Sequence, residues 1–118
     1  MELVAFIGKD AENWGQVTAL MKRMEYDKAI IIKDKNAGAF PANSKTQIVN
    51  VDTSKPLIEL KEDILKVMKD KLSGDFEVAL SIASGNGKEH MAVISALLSV
   101  PVGIRLVVFT KDGVKQIN

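Results

Sequence analysis

Two short, unbroken apolar runs, Leu3-Val4-Ala5-Phe6-Ile7 and Ala29-Ile30-Ile31-Ile32, constrain this chain more than any other feature. Each is short for a helix and neither alternates with polar residues, so each reads as a strand covered on both faces. β-branched side chains crowd a helix but suit a pleated sheet. Strands covered on both faces need a layer above and a layer below, and the intervening segments supply them. Trp14, Val17, Leu20, Met21 and Met24 recur at helical spacing after Asp10, a capping residue, with Glu12 near the positive end. Gly15 costs that helix on the order of 1 kcal/mol relative to Ala. Leu57, Leu60, Ile64, Met68 and Leu72 form a second stripe. Thr53 or Ser54 is expected to cap it, Pro56 to sit in its first turn, and Gly74 to close it. Glu62 and Lys66 are expected to pair at i,i+4 on its outer side. A third helix is expected over residues 88–99, with Met91, Ile94, Ser95 and Leu98 on one face and Pro101 ending it.

Three further strands are expected over residues 47–51, 76–83 and 102–109, the first near a sheet edge because of its polar positions. Asp112-Gly113 marks a tight turn, so residues 114–117 read as a short antiparallel edge strand. The order is β-α-β-β-α-β-α-β-β. Helical connections join parallel neighbours through right-handed crossovers. The expected fold is α/β, a three-layer, Rossmann-like open twisted sheet, mostly parallel, with an antiparallel C-terminal edge strand, in a single domain over residues 1–118. Residues 33–45 carry Asp34, Asn36, Gly38, Pro41 and Asn43 without periodicity. They read as a mobile surface loop with almost no apolar anchor.

Composition narrows function by exclusion. A chain of 118 residues buries enough surface to need no staple. The absence of cysteine excludes disulfides, zinc–cysteine sites and thiol catalysis. A single histidine, His90, excludes two-histidine metal sites. Neither a metal nor a cofactor is expected. Sixteen basic against fifteen acidic residues leave a net charge of +1, and aromatic residues make up 5%. Neither feature suits duplex nucleic acid or a base-stacking platform. No apolar run approaches the roughly 20 residues of a membrane span, and Met1-Glu2-Leu3-Val4 lacks the basic start of a signal peptide. The expected location is cytoplasmic. Fourteen of the sixteen basic residues are lysine, which fits an archaeal or thermophilic source.

In an open parallel sheet, ligands bind beyond the C-terminal strand ends, where the strand order reverses. The loop after the first strand is Gly8-Lys9-Asp10. If the fourth strand is its neighbour, the facing loop is Ser84-Gly85-Asn86-Gly87-Lys88. Each loop opens a helix, where free N–H groups and the macrodipole attract anions, and glycine admits close backbone approach. Ser84 and Asn86 add hydrogen-bonding side chains. Lys88 opposes the helix dipole, so it lacks a local stabilising reason that a bound anion would supply. The candidate ligand-binding residues are therefore Gly8, Lys9, Asp10, Ser84, Gly85, Asn86, Gly87, Lys88 and His90. The alternative is a solvated strand-to-helix turn that needs glycine for its backbone. His90 reads either as a solvated or capping side chain or as a ligand contact at the crevice mouth.

Known signatures exclude some chemistry. A P-loop needs glycine where Ile82 stands. A dinucleotide fingerprint on Gly85 and Gly87 needs glycine where His90 stands. Ser84 has no visible histidine–acid partner, so a hydrolase triad is not expected and catalytic residues stay unassigned. Trp14 reads as core or subunit interface rather than a stacking surface. Ala92, Ser95, Ala96 and Ser99 form a small-residue face, for close packing on the sheet or for a helix–helix dimer contact.

The segment from Val78 through Ser84-Gly85-Asn86-Gly87-Lys88 to Ala92 resembles the fourth-strand motif of the CRISPR-associated Rossmann fold (CARF) domains. There a hydrophobic strand runs into a Thr-Gly-Gly-Thr-Lys-like loop and a helix with a small apolar start. Ser84 matches the first Thr, Gly85 the first Gly, Lys88 the Lys and Met91 a common apolar position. Asn86 and Gly87 replace the second Gly and second Thr, and Lys9-Asp10 stands where many members have Ser or Thr. The resemblance implies a homodimer binding a cyclic oligoadenylate or related nucleotide across its two-fold axis. Some members cleave that ligand as ring nucleases, by attack of its own 2′-hydroxyl. Lys88 would then stabilise the phosphorane charge, and His90 is the side chain with an ordinary pKa near neutrality. The resemblance covers no separate effector domain. A scaffold role for a dimeric, non-catalytic interaction protein is the competing expectation.

Overall fold

A computed structural model describes residues 1–72, 74 and 76–118. Six strands, β1 (Glu2–Ile7), β2 (Ala29–Asp34), β3 (Thr46–Val51), β4 (Glu77–Ser81), β5 (Gly103–Thr110) and β6 (Gly113–Gln116), form one sheet in the order β3-β2-β1-β4-β5-β6. All neighbours are parallel except β5 and β6, which pair antiparallel. This is the expected Rossmann-like α/β architecture, with β3 and β6 at the two edges. The helices are α1 (Gly15–Arg23), preceded by a 3-10 turn at Ala11–Trp14, α2 (Leu57–Lys71) and α3 (Gly87–Leu98). No helix among the described residues is long and apolar enough to cross a membrane.

Strand alternation sorts the apolar residues of β1 into two cores. Leu3, Ala5 and Ile7 pack with Trp14, Val17 and Leu20, beneath α1. Val4 and Phe6 pack on the opposite face with Leu60, Ile64 and Met68 of α2 and with Ala92, Val93, Ala96 and Leu97 of α3. Trp14 is thus a core residue, as expected.

Several local expectations are corrected. Neither Thr53 nor Ser54 caps α2; Pro56 is its N-cap and no side chain completes the cap. Thr53 is drawn instead to Asp34, and Ser54 to Asp52. The helix ends at Lys71 with Leu72 as C-cap, so Gly74, at φ +90°, turns the chain beyond it. Glu62 pairs with Lys61 rather than Lys66. On α3 the buried face is Ala92, Val93, Ala96 and Leu97, while Met91, Ser95 and Leu98 point outward. The close approach of α3 to α2 and the sheet favours small side chains there, which the larger Met and Leu obscured. Strand β4 is shorter than the apolar run, and Phe76 lies outside it, exposed.

Residues 33–45 also differ from expectation. Lys33 and Asp34 complete β2 and are buried. Phe40 is buried and meets Trp14 edge-on with ring centroids 5.5 Å apart, so the segment has an apolar anchor. It stands where a second crossover helix would otherwise cover that side of the sheet.

Candidate functional site

β1 and β4 are neighbours, and their onward connections leave in opposite directions. The chain after β1 passes through α1 to β2, and the chain after β4 passes through α3 to β5. The crevice between them is the topological switch point of the sheet.

Two glycines close its floor. A Cβ on Gly8 would lie 2.9 Å from both the Cα and the N of Gly85, so the two loops touch backbone to backbone. Gly85 has φ +96°, a conformation that favours glycine. The buried hydroxyl of Ser84 accepts the Gly8 N–H at 2.9 Å, and the Trp14 indole N–H donates to the Gly8 carbonyl at 2.8 Å. These bonds leave little freedom in the turn after β1.

Asn86 and Glu89 organise the start of α3. The Asn86 side chain accepts the Glu89 N–H, and the Glu89 carboxylate accepts the Asn86 N–H, each at 2.9 Å, completing a capping box. The His90 N–H makes the first turn bond to the Asn86 carbonyl. Among the described residues, the N–H groups of Gly87 and Lys88 therefore have no protein acceptor. A Cβ on Gly87 would meet nothing within 4 Å, so that side of the loop is open.

The cleft has a volume of about 310 Å³ and is lined by Gly8, Lys9, Asp10, Asn13, Thr53, Gly85, Asn86 and Glu89. Five of the nine sequence-derived candidates thus converge: Gly8, Lys9, Asp10, Gly85 and Asn86. Gly87 sits beside them at the start of α3. Ser84 supports the floor from below. The His90 ring donates from Nε2–H to the Ser84 carbonyl at 2.8 Å, a structural bond that steadies the loop. Asp10 is engaged locally, accepting from the Glu12 N–H and the Asn13 amide.

Lys88 corrects the sequence reading most sharply. Its ammonium donates to the Thr53 carbonyl at 2.9 Å, which supplies the local stabilising reason that had looked absent. Thr53 comes from the loop before α2, a segment without any apparent site motif. It is held from its other side by Asp34, whose carboxylate accepts the Thr53 N–H at 3.0 Å and its hydroxyl at 2.6 Å. Burial pushes the Asp34 carboxyl up, but the hydrogen bonds from Thr53 and Asn36, with the Lys9 charge 3.9 Å away, outweigh it and leave the pKa below its ordinary 3.8.

Asn13, Thr53 and Glu89 were missed as site residues. For Glu89 a signal was present, since Asn86-x-x-Glu89 has capping-box spacing. Asn13 and Thr53 reach the cleft only through tertiary packing. The lining carries Lys9 against Asp10 and Glu89, so its side chains are net acidic and any attraction for an anion comes from the backbone N–H groups. Among the described residues no cluster of three or more His, Asp or Glu is placed to hold a metal. A wider hollow, about 720 Å³, opens at the N-terminal strand ends among Met1, Tyr26, Asp27 and Lys45. Size favours it, but strand direction favours the smaller cleft, where the glycine loops and a free helix start also lie. No family model matches the chain, and comparison with curated proteins and with solved structures brings out no match.

Proposed function

We propose that the switch-point cleft binds a phosphate-containing nucleotide, a cyclic oligoadenylate or a related ligand. The observation that carries this reading is the open Gly87–Lys88 N–H pair at the head of α3, beside the Gly8–Gly85 backbone contact. With one cation against two carboxylates, the lining disfavours a polyphosphate more than it does a phosphodiester or monoester. The resemblance of residues 78–92 to CARF domains points the same way. Lys88 and His90 are both bonded to backbone carbonyls, so the arrangement favours binding over cleavage. A thermal-shift screen of nucleotides and cyclic oligoadenylates tests it, since a ligand selective for the native state raises the melting temperature. No shift with any phosphate-bearing compound at millimolar concentration would overturn the reading.

A second reading, a dimeric scaffold, has its own observation. Ile58, Met91 and Leu98 are 76%, 60% and 71% exposed on the outer side of α2 and α3. A two-fold homodimer through this face would cover them. Light scattering that gives a monomer at high concentration would remove it.

A further inference from the structure

The second carboxylate oxygen of Glu89 has no evident role in the fold. Glu89 is only 5% exposed, yet it lines the cleft. Its Oε1 is taken by the Asn86 N–H. Among the described residues Oε2 has no hydrogen-bond or ion-pair partner. No fully enclosed side-chain oxygen of the described residues lacks a partner, so Oε2 keeps a solvent path. Glu89 lines the cleft, so the cleft offers that path. The nearby cations are committed elsewhere, Lys88 to the Thr53 carbonyl and Lys9 toward Asp34. A capping box uses one acceptor oxygen and takes glutamine as well as glutamate; the charge gains from the dipole of α3, but neither effect uses the second oxygen.

We propose that Glu89 Oε2 accepts a hydrogen bond from a hydroxyl or amino group of the bound ligand, so that the cleft selects a phosphate ester carrying such a donor over the bare anion. The inference rests on the reading of the cleft as a phosphate site. A carboxylate accepts and never donates, so it repels the anion itself while rewarding a donor beside it. Asp10 is less suited to this role, because it is exposed to water and its two oxygens already accept from the Glu12 N–H and the Asn13 amide.

The test is an amide NMR titration of the wild type and Glu89→Gln with adenosine 5′-monophosphate and with inorganic phosphate. Glutamine keeps the capping acceptor and turns the cleft-facing oxygen into a donor. The wild type should bind the nucleotide more tightly than phosphate. Glu89→Gln should weaken the nucleotide by about tenfold or more, lower the melting temperature only slightly through the lost dipole interaction, and bind phosphate equally or more tightly. A wild type without preference, or a variant that retains it, overturns the role of Glu89 and leaves the anion site standing. If neither probe moves the Gly85, Gly87 or Lys88 amides of the wild type, the cleft reading fails and this inference with it. The wild-type comparison remains decisive should the variant not fold.

Discussion

The Lys88 ammonium donates to the Thr53 carbonyl at 2.9 Å, tying the first turn of α3 to the loop before α2. The bond spans 35 positions of sequence and joins two walls of the cleft. It also gives a lysine near a helix N-terminus a stabilising partner against an unfavourable dipole.

Lys88→Ala should therefore cost little stability. Losing the hydrogen bond removes about 0.5–1.5 kcal/mol, and relief of the dipole conflict returns about 0.3–1 kcal/mol. Urea unfolding should show a net loss under about 1 kcal/mol. Affinity for cyclic tetraadenylate should fall by no more than about tenfold, because the ammonium is already bonded to the Thr53 carbonyl and the substitution keeps the Lys88 N–H. A loss of about a hundredfold or more would show that the ligand takes the Lys88 ammonium from the Thr53 carbonyl.

Gly8→Ala should destabilise the protein by about 1–3 kcal/mol, because the new Cβ would lie 2.9 Å from the Gly85 backbone, which has no rotamer to yield. Gly87→Ala has open space at its Cβ and should change stability far less. Chemical unfolding of both variants checks the contrast; equal stabilities would mean the loops do not touch.

Asp34 should make part of the stability depend on acid. Its folded-state pKa lies below the ordinary 3.8, so its contribution is present above that value and is lost as pH falls through the depressed pKa. Asp52, held down to about 2 by the Ser54 hydroxyl and N–H and by Lys35, loses its contribution in the same direction. Asp34→Asn should cost about 1–3 kcal/mol at pH 7, since an amide cannot accept on both sides. The gap between variant and wild type should narrow in unfolding experiments carried below pH 3.8. A gap that stays constant down to pH 2 would assign the contact no role in acid sensitivity.

Phe40→Ala should cost about 3 kcal/mol and release the segment between β2 and β3. In the wild type, proteolysis should favour residues 35–39, exposed except for the half-buried Ala37, over the neighbourhood of Phe40. Uniform cleavage across residues 35–45 of the wild type would show that the Trp14–Phe40 contact does not anchor the loop.

The sheet was legible because unbroken apolar runs have few other uses in a domain this size. β1, β2 and the antiparallel β6 follow from the sequence pattern to within two residues at each end. The two glycine loops were legible for a related reason, since strand–glycine–helix junctions mark switch points. Tertiary choices stayed hidden. A periodic count cannot distinguish the Met91–Leu98 face of α3 from the Ala92–Ala96 face, because packing distance decides which is buried. Phe40 is one aromatic residue in a polar segment, and only its contact with Trp14 makes it an anchor. Thr53 looked like a cap because its residue type suits one, but the buried Asp34 carboxylate competes for the same hydroxyl and wins with two hydrogen bonds.

The most direct test of the central claim is an amide-resolved NMR titration with cyclic tetraadenylate. The largest shifts are predicted at Gly8, Gly85, Gly87 and Lys88, around the switch-point cleft, with Thr53 following as its carbonyl loses or shares the Lys88 ammonium. Shifts concentrated at Tyr26, Asp27 and Lys45, at the opposite end of the sheet, or no shift with cyclic tetraadenylate or any other phosphate-bearing nucleotide at millimolar concentration, would contradict it.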